Sequence, residues 1–368
     1  MKTIIRAAAL SGAVALALAA CGSAPEDTPS SPGAGGSATD GGGEQSTDFK
    51  ACMVSDFGGF DDNSFNQSGF EGLQRAVQDL GIQQATAEST DAGQYTTNVD
   101  SMIQAACDLI ITVGFNLADT TAAAADANPD QHFALIDSGV DPARDNVKPL
   151  LFNTQEAAYL AGYVAAAMST TGTVGTYGGQ PYPSVTIFMD GFWDGVQKYN
   201  EDNGTQVKVV GWDKNNPGAG TFTETFDDVA RGEEVTNQLI AQGADVILPV
   251  AGPVGEGTLS AAKAAGNVLV IGVDSDFYEQ PKYEQYRDII LTSVMKEIGQ
   301  SVYDTIETTA DGSFSAEPYI GTLANGGVGL APFHDLDAQV PDEVKSKVEE
   351  LQQQIVDGTL EVTSPSQN

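Results

Sequence analysis

The sequence predicts an α/β protein built on parallel sheets. Short runs rich in β-branched residues alternate with longer segments of helical pattern. Strands separated by helices of that length imply right-handed crossovers. Small or acidic residues recur at the carboxyl ends of the strand candidates, where open α/β sheets bind their ligands. The roughly 320 residues that follow position 48 are enough for two lobes with separate cores.

The strand candidates, in order, are Ala51–Ser55, Leu109–Val113, His132–Ile136, Thr173–Tyr177, Val207–Val210, Asp245–Val250, Val268–Val273 and Ile289–Thr292. Helix candidates lie near residues 64–80, 95–106, 117–127, 155–169, 184–201, 229–242, 256–265 and 295–309. In the first helix, Ser64 followed by Gln67 resembles a capping box, which places Phe65 in the first turn. Phe65, Gly69, Gly72, Leu73, Ala76 and Leu80 recur at helical spacing, so the pattern alone leaves Phe65 divided between core and crevice.

The strand ends in question are Ser55-Asp56, Gly114-Phe115-Asn116, Asp137-Ser138, Gly178-Gly179, Gly252 and Asp274. Any one acid there could simply cap the next helix. Their repetition across so many strands favours a binding crevice.

The first twenty residues read as an export signal. Lys2 and Arg6 precede a largely apolar run, Ala7 to Ala20, too short to span a bilayer comfortably. Leu18-Ala19-Ala20-Cys21-Gly22 resembles the bacterial lipobox, in which the Cys21 thiol carries a diacylglycerol and the new amino terminus is acylated. More than one acyl chain makes for stable anchoring. The alternative is an ordinary signal peptide with an incidental cysteine. Residues 21–48 hold Gly, Ser, Thr, Pro and acids, and read as a lipid-anchored tether whose ends stand roughly 25–30 Å apart. The expected location is the outer face of the cell membrane, with the lipid as the only membrane contact.

The formal net charge is −35, and it becomes −37 once Lys2 and Arg6 leave with the signal. Such a surface argues against nucleic acid and anionic lipid as partners. Beyond Cys21 only Cys52 and Cys107 remain, either as a disulfide, which export permits, or as two buried thiols. The two histidines, His132 and His334, have no recognisable partner motif. No His/Cys cluster has metal spacing and no Gly-x-Ser-x-Gly elbow occurs. Gly252-Pro253-Val254-Gly255-Glu256-Gly257 follows a strand as a phosphate cradle would, but it lacks the P-loop lysine and Glu256 would repel an anion. It reads as a close-approach turn. A binding protein without cofactor, metal or catalytic residues is the reading these absences favour.

Eight blocks then occur in order: "SDFGGFDDNSFNQSGFEGL", "DLIITVGF", "EAAYLAGYVAA", "VGTYGGQPYPSVTIFMDGFWDGV", "GADVILPVAG", "IGVDSD", "LTSVMKEI" and "GGVGLAPF". Together they resemble the basic membrane protein family of lipoproteins, whose purine-nucleoside receptors feed ABC transporters. The resemblance covers nearly all of Phe49 to about Val362. It implies the type I periplasmic-binding-protein fold, two doubly wound parallel-sheet lobes joined by a three-segment hinge. The crossings are expected near Phe152-Asn153, Leu291-Thr292 and Gly327–Leu330. One lobe is then 49–152 plus 293–327, and the other 153–292 plus 328–368.

The resemblance also implies a site. In the family's nucleoside receptors two aromatic rings, one from each lobe, sandwich the base; the matching positions are Phe65 and Phe226. Asp56 matches the residue at the base edge, and Asp137, Gly252, Asp274 and Lys296 match those that hold the ribose. Stacking suits a purine's two faces, and ionised carboxylates accept from neighbouring ribose hydroxyls. Three aspartates with one lysine would repel a phosphate, so the expected ligand is a nucleoside (guanosine, inosine or adenosine) and not a nucleotide. The implied partners are ABC permease subunits, and the protein is expected to act as a monomer.

Blander readings stand beside these. Phe226 could be a loop residue folded onto the second lobe, and Asp274 with Lys296 could form a hinge salt bridge. Phe192 and Trp193 are the next candidates for stacking, while Phe57, Phe60 and Phe70 read as structural. Asn63 replaces a lysine common in the family and Phe277 a glutamine, both at positions expected near the cleft. Two other functions compete: a sensor or adhesin of the same fold that binds a sugar or a protein, and a nucleoside hydrolase, which two histidines ill support.

Overall fold

The computed structural model describes residues 48–367. The expected signal, the lipidation site Cys21 and all of the tether but Asp48 lie outside the described residues. From Lys50 the chain alternates as its pattern requires: β1 (Lys50–Val54), α1 (Phe65–Leu80), β2 (Gln83–Ala87), α2 (Tyr95–Gln104), β3 (Leu109–Val113), α3 (Ala118–Ala127), β4 (His132–Ile136) and β5 (Val147–Phe152). It then passes to a second sheet through α4 (Thr154–Met168), β6 (Thr173–Gly178), α5 (Pro183–Asn203), β7 (Lys208–Val210), α6 (Val229–Ala241), β8 (Val246–Val250), α7 (Gly255–Ala265), β9 (Leu269–Asp274) and β10 (Ile290–Lys296). Helix α8 (Ile298–Ala310) and β11 (Tyr319–Gly321) return to the first sheet, and β12 (Val328–Leu330) with α9 (Asp342–Val356) completes the second.

The first sheet has the order β11-β5-β4-β3-β1-β2 and the second β12-β10-β9-β8-β6-β7. All neighbours are parallel except β10 and β12. Central strands β3 and β8 are buried throughout, which is why they read as unbroken apolar runs. In each sheet the strand order reverses beside the first strand of the lobe, and an open sheet makes its crevice there.

Among the described residues, no helix is long and apolar enough to cross a membrane. Helices α4 and α5 are the most closely packed pair. A Cβ added to Gly195 would lie 1.9 Å from the Tyr159 carbonyl, so that position admits no side chain. Cys52 of β1 and Cys107 before β3 form a disulfide inside the first lobe, which settles the alternative that the sequence left open.

Two expectations are corrected. Strand β10 continues to Lys296, paired with β9 and β12, so the chain leaves the second sheet after Lys296 and not at 292/293. Met295 and Lys296 had fitted a helical start, but Lys296 is a buried strand residue facing the site. The capping box is replaced as well. The Asp62 carboxylate accepts from the amides of Ser64 (2.8 Å), Asn66 (3.0 Å) and Gln67 (3.0 Å), and the Ser64 hydroxyl caps nothing. An ionised acceptor is the stronger cap for a helix start.

Candidate functional site

The carboxyl ends of β1, β3 and β4 face those of β8, β9 and β10 across a cavity. All seven positions singled out in the sequence line it: Asp56, Phe65, Asp137, Phe226, Gly252, Asp274 and Lys296. They come from seven separate stretches of chain, five of them at or within two residues of a strand's end.

Lys296, the last residue of β10, is the centre of the polar wall. Its Nζ lies 2.5 Å from Asp137 Oδ2 and 3.1 Å from Asp274 Oδ1. Asp137 follows β4 in the first lobe, whereas Asp274 ends β9 in the second. One ammonium therefore bridges the two lobes. Burial alone would lower the Lys296 pKa, but the two carboxylates outweigh it and raise it, so the group stays charged. Burial pushes Asp137 up, against the pull of Lys296. Both aspartates adopt left-handed backbone, with φ of 62° and 68°. Non-glycine residues hold that conformation at a cost, which is smallest for aspartate and asparagine.

At the opposite wall, Asp56 accepts from Asn66 Nδ2 at 3.0 Å. Its side chain is half-buried and lines the cavity. Burial pushes its pKa up to about 7, helped by Asp62 and Asp137 and opposed by hydrogen bonds from Asn66 and Asn116. The same Asn66 nitrogen meets the Phe57 carbonyl at 3.0 Å and Asp62 at 3.2 Å. Asn66, which lines the cavity, has its Oδ1 buried without a partner. Buried polar atoms are almost always paired, so orphans beside a cavity point to a ligand or water.

Aromatic rings make the remaining walls. Phe65 packs at the core's edge with Lys296 Nζ 4.9 Å from its ring centre. Phe226 lies in the segment between β7 and α6, its ring against Gly179, where an added Cβ would come within 2.3 Å. It lies 6.0 Å from the ring of Tyr182. Tyr182 in turn reaches across the lobes, stacking on Phe115 at 4.8 Å and donating its hydroxyl to Asn116 Oδ1 at 2.9 Å. The open alternatives thus receive particular answers. Phe226 is a loop residue of the second lobe that also lines the cavity, and Lys296 does pair with Asp274 but with Asp137 too.

The lining residues Asn66, Tyr182 and Phe188 were missed by the sequence; Phe115 and Asn116 were read as a strand end at the crevice but given no ligand role, and Phe57 was read as structural only. Asn116 carried a signal, since it closes the strand end after β3, whereas Asn66 sits in the first turn of α1 beside Phe65. Phe188 gave none, because a phenylalanine within a helix is ordinarily core. Phe192 is wholly buried, and neither it nor Trp193 reaches the cavity. Asn63 and Phe277 lie outside it too; Phe277 packs on Tyr283 beneath β9. The glycine-rich turn is a close approach of α7 to α6, and Glu256 pairs with Lys282 at 2.7 Å. Among the described residues no group of three acids, histidines or cysteines is placed to hold a metal.

Comparisons with known proteins agree on one family. The model for "ABC transporter substrate-binding protein PnrA-like" matches residues 49–366. An "ABC transporter nucleoside-binding protein BmpA" of Lactococcus lactis subsp. cremoris is 34% identical over 338 residues, covering 88% of this chain and 91% of that protein. A "CD4+ T-cell-stimulating antigen" of Listeria innocua is 32% identical, covering 98% of this chain and 99% of its own. Among solved structures, an ABC transporter solute-binding protein of Aeropyrum pernix superposes with a TM-score of 0.77 at 26% identity, over 86% of this chain and 94% of that one.

Proposed function

Because the chain belongs to the PnrA-like family of ABC transporter substrate-binding proteins, we propose that it captures a purine nucleoside between its lobes and delivers it to an ABC importer. The observation that carries the reading is the pairing of two kinds of wall on one cavity. Phe65 and Phe226 offer π-faces from different lobes, and a carboxylate–ammonium–carboxylate array spans the polar side. Base stacking is worth about 1–3 kcal/mol per base. Asp137, Asp274 and Lys296 supply charged acceptors and a donor to the vicinal hydroxyls of a ribose, with the backbone of Gly252 beside them. Asp56 and Asn66 read the base edge.

The walls hold Asp56, Asp62, Asp137 and Asp274 against the single ammonium of Lys296. A phosphate would meet net negative charge in a low-dielectric site, so a nucleoside fits and a nucleotide does not. The relative named as nucleoside-binding supports the ligand class. In this reading the protein acts outside the cytoplasm, tethered through a lipid on Cys21. Mass spectrometry of ligand retained by the purified protein, then calorimetry with nucleosides, their monophosphates and sugars, tests it. Nucleosides should bind and monophosphates should not. Binding of a sugar with no binding of any nucleoside would refute the assignment.

A further inference from the structure

The base-reading wall is built so that one proton changes its hydrogen-bonding character. Asn66 Nδ2 is surrounded by three acceptors, Asp56 Oδ1, the Phe57 carbonyl and Asp62 Oδ2, and these fix which end of the amide is nitrogen. Asp56 Oδ1 is thereby held as an acceptor whatever the ligand. The other oxygen, Oδ2, rests against Gly114, where an added Cβ would come within 2.4 Å of it.

We propose that the proton on Asp56 Oδ2 sets the base preference: the carboxylate selects an edge with two adjacent donors, as in guanosine, and the neutral acid an edge with a donor beside an acceptor, as in adenosine. The proposal rests on the nucleoside reading above. A guanine edge gives N1–H and N2–H and needs both oxygens bare. An adenine edge gives N6–H to Oδ1 and takes the Oδ2–H at N1. Because Asn66 keeps Oδ1 accepting, protonation converts Oδ2 alone from acceptor to donor.

The titratable and charged groups around Asp56 are Asp62 ahead of α1, Tyr95 of α2, Asp137 past β4 and Tyr182 ahead of α5, with Lys296 beyond Asp137. Burial holds both phenols above their usual range, so they stay neutral while Asp56 titrates. Asp62 is engaged by three backbone amides and does not face the ligand with a free oxygen.

The experiment is calorimetry of the purified protein with guanosine and with adenosine at about pH 6 and about pH 8. With a carboxyl midpoint of about 7, the ionised fraction changes about tenfold over that interval, and apparent affinity follows the competent fraction. Guanosine should tighten about tenfold and adenosine weaken about tenfold. Asp56→Asn, which always offers one donor and one acceptor, should keep the low-pH preference at both values. If both nucleosides bind with a ratio that does not move, the proposal is wrong and the nucleoside reading stands. If neither binds at either pH, both fall. An Asp56→Asn protein that retains the wild-type pH dependence also overturns the proposal, since Asp62 or Asp137 would then be its source.

Discussion

Replacing Asp56 with asparagine should stabilise the protein, and by an amount that depends on pH. The carboxyl has an ordinary pKa of 3.8 and is pushed up to about 7 here, chiefly by burial. At 1.36 kcal/mol per unit, the ionised native protein carries a penalty of roughly 4 kcal/mol relative to the unfolded chain. The sign follows from proton counting. Between the unfolded and folded values the native state holds the proton more tightly, so stability falls as pH rises and is lowest above the folded pKa. Asparagine does not ionise and keeps an oxygen for Asn66 Nδ2, so the variant escapes that loss. Urea denaturation of both proteins at a series of pH values from about 4 to about 8.5 measures the difference. It should be near zero at the acid end and should grow to roughly 4 kcal/mol by the alkaline end. A difference that is constant across the series would refute the reasoning, because only ionisation can make it pH-dependent. The native carboxylate would then be a group kept for ligand recognition at the expense of stability.

Asp137→Asn should weaken nucleoside binding by about 10- to 100-fold, since a charge-assisted bond contributes about 1.5–3 kcal/mol, and should also lower the melting temperature, because it removes one of the two carboxylates that hold the buried Lys296 ammonium; calorimetry and melting curves read the two effects. Phe226→Ala removes one stacking face and should cost about 1–3 kcal/mol of binding free energy, read in the same titration. Gly195→Ala drives a methyl into the Tyr159 carbonyl and should destabilise the second lobe by at least about 1–3 kcal/mol, leaving the nucleoside affinity of the folded fraction unchanged. Reduction of Cys52–Cys107, which closes a loop of 55 residues' separation, should cost about 4 kcal/mol of first-lobe stability by loop entropy, seen as a lower urea midpoint with reductant.

How far the sequence carried these conclusions differs from element to element. Strands β3 and β4 were placed to the residue, because a central parallel strand is buried on both faces and reads as an apolar run. Strand β2, QQATA, is mostly exposed at the sheet edge and carries no such signature. Strand β5 hides behind Pro149, a residue that argues against a central strand, yet β11 pairs only from Leu150 onward. The C-terminal helix α9 was passed over, its buried residues reduced to Val344, Val348 and Leu351 in a charged segment.

For the site, the sequence by itself determined which residues stand at strand ends, and parallel topology then obliges those ends to gather at one crevice. Resemblance of ordered blocks supplied the particular positions. What it could not hold is any fact that depends on two distant segments meeting. That Lys296 is shared by an aspartate from each lobe, that Asp62 and not Ser64 caps α1, and that Asn66 locks one oxygen of Asp56 are all such facts. So is the height of the Asp56 pKa, since desolvation is a property of the packed surroundings and not of the side chain. Local pattern fixes where each group lies along its strand or helix; only packing brings opposite charges within 3 Å and removes the water between them.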